Sequence, residues 1–148
     1  MRAMVVYDSV YGNTEKVAKA IGDGVGAGVE VRRASEARAS HLEGLDLLVV
    51  GSATHGGRPT EALQGFLNRV QGASLSHTRV AAFDTRLATR LVAVFGYAAK
   101  KIAAALEDKD GILVAAPEGF VVRGRRGPLQ EGELERAADW GRGIAAES

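Results

Sequence analysis

The sequence contains no cysteine among its 148 residues. Disulfides, a thiolate nucleophile and cysteine-ligated zinc or iron–sulfur centres are therefore excluded, and any redox chemistry must sit on a bound organic group. It also lacks an uninterrupted apolar stretch of about 18 residues, so no membrane-spanning segment is expected. The opening apolar run ends at Asp8 and Ser9, too short for a secretory leader and suited to a buried first strand; a cytoplasmic location is the expectation. A marked excess of one charge sign is missing too: the formal net charge is +1, which gives no reason to expect a nucleic-acid partner. Aromatic residues make up only 5% of the chain and prolines number three.

What is present is the material of one compact unit. With 46% hydrophobic and 25% charged residues, a chain of this length buries one sizeable core, and residues 1–148 read as a single domain. Short apolar runs at residues 3–7, 47–50, 80–83 and 112–115 are continuous, as expected of strands covered on both faces. The run at 29–33 alternates and reads as a half-exposed edge strand. Amphipathic stretches at 14–25, 61–70, 98–106 and 134–145 carry apolar residues at helical spacing, and a short helix is expected within 35–42. Alternation of this kind predicts an α/β sandwich with a mostly parallel sheet and helices on both faces. Periodicity leaves strand order open between a flavodoxin-like and a truncated Rossmann arrangement.

The loops carry the chemistry. After the first strand come Ser9, Val10, Tyr11, Gly12, Asn13 and Thr14, then Glu15 at a helix start. A helix N-terminus offers unpaired N–H groups and a partial positive charge, Gly12 lets the backbone bend around an anion, and Ser9 and Thr14 bring hydroxyls. No Lys occupies the loop, and neither Gly-x-x-x-x-Gly-Lys nor Gly-x-Gly-x-x-Gly is present, which favours a lone phosphomonoester over a triphosphate or a nicotinamide dinucleotide. Ser9 and Thr14 also suit turn and cap roles.

After the third strand, Gly51 and Ser52 lead into Ala53, Thr54, His55, Gly56, Gly57 and Arg58 before a Pro59-Thr60-Glu61 helix start. This lies at the carboxyl edge of the sheet, where α/β proteins bind ligands, and the glycines suit approach to a flat ring. His55 reads equally as a solvent-exposed loop residue. The fourth strand delivers Phe83, Asp84, Thr85 and Arg86; Asp84 suits a polar ligand contact, a turn cap or an ion pair with Arg86. Residues 91–95 are apolar enough for an added strand, a lid or an interface, with Phe95 and Tyr97 as reserve candidates for ring stacking. Beyond the last strand, Arg123, Arg125 and Arg126 read as a solvated edge in preference to an acidic-partner surface, and Trp140 as a packing residue. The three histidines, His41, His55 and His77, lack metal-ligand spacing, and no catalytic set of side chains stands out.

On these motifs the sequence resembles the flavodoxin family over essentially its whole length. Residues 9–15 match its phosphate loop in the Tyr-Gly-Asn-Thr-Glu form; residues 51–60 resemble its Gly-Ser-x-Thr-x-Gly-x-x-Pro-Thr loop; residues 127–137 resemble the tail of small flavodoxin-domain proteins. The resemblance implies a three-layer sandwich with a five-stranded parallel sheet in order 2-1-3-4-5. It also implies FMN as cofactor, with its phosphate on residues 9–14 and its ring between Ala53, Thr54, His55, Gly56 and Gly57 on one side and Asp84, Thr85 and Arg86 on the other. The implied function is electron transfer with redox protein partners. The alternatives are a binding or regulatory domain that has lost FMN and an FMN-dependent reductase of quinones or other small acceptors. Two departures stand out: the fourth-strand loop lacks the family's Gly-x-Gly-Asp and following stacking Tyr, and the charge is +1 where the family's carriers are typically acidic. The second departure predicts a less negative second reduction potential than in acidic relatives.

Overall fold

The computed structural model describes residues 1–72, 74–88 and 97–147. Strand β1 (Ala3–Asp8) leads into α1 (Asn13–Val25), and β2 (Glu30–Arg33) is followed by two 3-10 turns at Ala34–Glu36 and Ala39–Leu42. Then come β3 (Leu47–Ala53), α2 (Glu61–Arg69), β4 (Arg79–Leu87), α3 (Ala98–Glu107), β5 (Ile112–Leu113), β6 (Glu118–Val122) and α4 (Glu133–Ala146). All strand pairings in the sheet are parallel, in the order β2-β1-β3-β4-β5, with β6 also on β4. The expected order is thus the observed one, and β2 is the expected edge strand.

Side chains alternate across the pleat, which divides the interior in two. Met4, Val6, Leu48, Val50, Val80 and Ala82 face α2 and α3, packing with Leu63, Phe66 and Ile102. Val5, Tyr7, Leu47, Val49, Ala81 and Phe83 face α1 and α4, packing with Val17, Ile21, Ala137 and Ile144. This second layer depends on missing side chains. A Cβ on Gly51 would overlap the Phe83 ring; one on Gly24 would strike the carbonyl of Ala138, and one on Gly141 the carbonyl of Ile21. The last two positions bring the backbones of α1 and α4 into direct contact. Trp140 fills space here as expected, meeting Phe83 and Phe120 edge to face at centroid distances of 6.3 and 6.2 Å.

Two expectations are corrected. The helix expected within 35–42 is a pair of 3-10 turns, because only Ala37 and Leu42 of this stretch reach the core and two buried residues cannot seat a helical face. The fifth strand is longer than residues 112–115 and broken. Ile112 and Leu113 pair with Arg79 and Val80; Glu118 to Val122 then pair with Phe83 to Leu87 on the same edge. The gap contains Pro117, which has no N–H to give to a ladder. After β6 the chain doubles back. Val122 bridges Leu129 antiparallel, and the Arg123 N–H donates to the Pro128 carbonyl at 2.9 Å, leaving the arginine-rich residues at a hairpin tip.

Candidate functional site

With the order β2-β1-β3-β4-β5, the chain reverses its winding between β1 and β3, and a crevice opens there beyond the carboxyl ends of the strands. Among the described residues, the loops after β1 and β3, the carboxyl end of β4 and the β6 hairpin surround a cavity of about 320 Å3. Its wall includes Ser9, Val10, Tyr11, Asn13 and Thr14 from the first loop and Ala53, Thr54, His55 and Gly56 from the second. Thr85, Arg86 and Leu87 close it from β4, and Val122 and Arg125 from the hairpin.

The first loop is held from below. The Ser9 Oγ accepts from the Gly12 N–H at 3.0 Å, and Gly12, with φ 93°, is the N-cap of α1. Lys16 is the first residue of α1 to donate to a preceding carbonyl, that of Gly12 at 3.2 Å. The N–H groups of Asn13, Thr14 and Glu15 therefore have no acceptor inside the helix. Thr14 is buried and its hydroxyl meets that of Thr85 at 2.7 Å, tying the helix start to β4. Asn13 is 9% exposed, yet its amide makes no side-chain hydrogen bond among the described residues. Val10 and Tyr11 stand out into solvent. Behind the loop, the Tyr7 hydroxyl donates to Glu15 at 2.6 Å and Arg33 lies over the Tyr7 ring. Burial, with that carboxylate as acceptor, pushes the Tyr7 phenol up to about 12, and the same hydrogen bond holds Glu15 below the usual carboxylate range.

The second loop is a tight hairpin. His55 and Arg58 exchange both backbone hydrogen bonds, at 2.8 and 3.0 Å, around Gly56 and Gly57. Both glycines have positive φ, 57° and 77°, as a two-residue turn of this hand requires. His55 and Gly56 reach the cavity; Gly57 turns away, its carbonyl accepting from Lys101 at 2.6 Å. Thr60 caps α2 and also donates to Asp8 at 2.6 Å, joining this loop to the end of β1.

Of the residues proposed from sequence, Gly12, Gly57 and Asp84 are not on the cavity wall. Asp84 is fully buried behind it. Its carboxylate accepts two bonds from Arg86, at 2.7 and 2.9 Å, and one from the Ala99 N–H at the start of α3, at 2.9 Å. Burial pushes its carboxyl above the ordinary range, opposed by Arg86 and that N–H. The paired side chain that does face the cavity is Arg86, whose guanidinium lies 3.5 Å from the Tyr97 ring centroid and occupies the space a Cβ on Gly119 would need. Phe95 and residues 91–95 lie outside the described residues. Leu87, Val122 and Arg125 were not anticipated. Arg125 had a signal, the cluster of three arginines after the last strand, but its position depends on a hairpin that composition does not announce. Among the described residues no Asp or Glu lines the cavity, and no group of His, Asp and Glu has the makings of a metal site. No described helix is long and apolar enough to cross a membrane.

An open, doubly wound sheet with a helix start and two glycine-bearing loops around a crevice at its winding reversal defines a class of α/β ligand-binding proteins. The flavodoxin family model matches residues 5–140, and the chain belongs to the flavodoxin family. A flavodoxin from the domain Archaea superposes with a TM-score of 0.81 at 23% identity, covering 99% of this chain and 98% of the other. Oxidised flavodoxin 2 from Bacillus cereus does so with 0.83 at 21% identity, each chain covered completely. The rubredoxin:oxygen oxidoreductase of Desulfovibrio gigas matches 98% of this chain over 35% of its own length, with a TM-score of 0.76 at 19% identity. These likenesses establish the fold. A comparison with curated protein sequences finds no match.

Proposed function

We propose that the chain binds FMN in the crevice at the β1–β3 reversal and exchanges electrons with protein partners. The observation that carries this reading is the wall itself. Unpaired N–H groups of the first turn of α1, the Ser9 and Thr14 hydroxyls and the nearly buried Asn13 amide converge where a phosphate would sit. Thr54, His55, Gly56 and Thr85 border the adjoining space, and the volume is in the range of small-molecule sites. FMN would supply electron transfer, and the protein would set its potential through hydrogen bonds and local charge. A wall with Arg125 unpaired among the described residues, no described carboxylate and the Arg86 charge offset by Asp84 favours the less negative second potential expected from composition.

One observation favours a different reading, a binding domain without FMN: Tyr97 is not on the cavity wall, and one face of its ring is already covered by the Arg86 guanidinium. Titration of the purified protein with FMN, followed by flavin fluorescence, separates the two. Saturable quenching at one equivalent is expected. Unchanged flavin fluorescence at micromolar protein would overturn the FMN reading and leave the binding-domain one.

A further inference from the structure

The hairpin tip that follows β6 is packed onto the first loop rather than extended into solvent. Gly127 comes so close to Asn13 that a Cβ on it would lie 2.8 Å from either polar atom of the Asn13 amide. The Arg126 guanidinium lies over the Tyr11 ring at 5.6 Å. Immediately before these two contact residues the chain presents Arg125 to the cavity wall. Arg125 makes no ion pair and no hydrogen bond among the described residues, and neither does the side chain of Asn13 opposite. The base of the hairpin is fixed, because the Val121 N–H donates to the Glu133 carboxylate at 2.7 Å. An exposed arginine thus lines the same cavity as the first residues of α1, with no described carboxylate on the wall, and is carried there by its neighbours rather than by a partner of its own.

We propose that Arg125 is the cationic half of the phosphate site, so that the cavity selects a phosphorylated flavin over its uncharged dephospho form. The inference rests on the FMN reading for the identity of the ligand but not for its charge. Backbone N–H groups, hydroxyls and an amide accept a phosphate ester or a neutral hydroxyl with moderate preference. A guanidinium at the same site adds a charge-assisted contact that only the anion can use. Arg126 is occupied by Tyr11, and Arg123 is exposed but off the cavity wall, which makes Arg123 the natural control.

The test compares wild type, Arg125→Gln, Arg125→Lys and Arg123→Gln in titrations with FMN and with riboflavin at low and physiological salt. A parallel titration with inorganic phosphate follows the amide signals of Gly12, Asn13 and Thr14. Arg125→Gln is expected to weaken FMN about tenfold, leave riboflavin unchanged and flatten the salt dependence. Arg125→Lys should recover part of the loss, and Arg123→Gln should resemble wild type. The proposal is overturned if Arg125→Gln weakens both flavins equally, which would mark a packing role, or leaves both FMN affinity and the phosphate-induced shifts intact. If wild type binds no flavin but shows phosphate shifts that Arg125→Gln removes, the FMN reading fails and the anion clamp stands. If phosphate moves nothing and FMN does not bind, both fail.

Discussion

The substitution Glu133→Gln tests how the hairpin is held. Glu133 opens α4 with its carboxylate side chain only 9% exposed. It accepts from the Val121 N–H at 2.7 Å and from Arg136 at 2.9 and 2.8 Å, while Arg136 also reaches Glu118 at 2.9 Å and lies over the Phe120 ring. Gln keeps the shape but offers one acceptor oxygen, so one Arg136 contact is lost outright and the others lose the negative charge of their acceptor. Hydrogen bonds to charged groups contribute about 1.5–3 kcal/mol. Arg136 is 42% exposed, and solvent screening discounts that value. A net cost of about 2 kcal/mol follows, which for a chain of this size lowers the melting temperature by roughly 4–8 °C. Urea unfolding near neutral pH should show it.

The pH dependence carries the sign. Arg136, with a smaller contribution from Val121, holds the Glu133 carboxyl below its usual 4.5. A depressed carboxyl stabilises the fold fully above its unfolded pKa and loses that contribution as pH falls through the folded one. The gap between wild type and variant should therefore narrow steadily below about pH 4.5. A variant as stable as wild type at neutral pH, or a gap that persists unchanged in acid, would refute the reasoning.

Two further predictions concern the helices and the underside of the first loop. Gly141→Ala should cost about 3 kcal/mol, because the new methyl meets the Ile21 carbonyl and backbone cannot yield; Gly143→Ala, two residues on and facing open space, should gain about 0.5–1 kcal/mol, both read by urea unfolding. The Tyr7 phenol should ionise at about 12, so its contribution to stability is full below its unfolded value of 10.0 and is lost as pH rises towards 12. Glu15→Gln should bring that ionisation down, and ultraviolet tyrosinate absorbance reads it directly.

Sequence patterning carried the layers well, because the two periodicities are written wherever a face is buried: continuous apolar runs for β1, β3 and β4, and alternation for β2. The strand order came from the resemblance of the loop motifs to the flavodoxin family, since periodicity leaves it open. The first loop was legible for a local reason, since a glycine, two hydroxyl residues and a helix start within a few positions need no tertiary context. What was not legible depended on contacts distant in sequence. Sequence leaves Asp84 open between a ligand contact, a turn cap and an ion pair with Arg86; that the Ala99 N–H at the start of α3 also takes its carboxylate shows only in the fold. The arginines at 123–126 read as a soluble edge because nothing local reports that Val122 pairs with Leu129 and folds the tip over Asn13. The turns within 34–42 reflect how little core they touch rather than any helix-breaking residue.

The backbone contact between α1 and α4 bears on how a ligand is met. Gly24 and Gly141 leave no side chain to slide or repack, so the carboxyl half of α1 is keyed into its neighbour and the helix cannot withdraw along its axis. Its first turn is thus backed by a helix pair in backbone contact, while the neighbouring wall, at the hairpin tip, is carried by β6 and one bridge at the sheet's edge. A substitution that opens the α1–α4 contact therefore reaches the cavity through the start of α1, although neither glycine lines it.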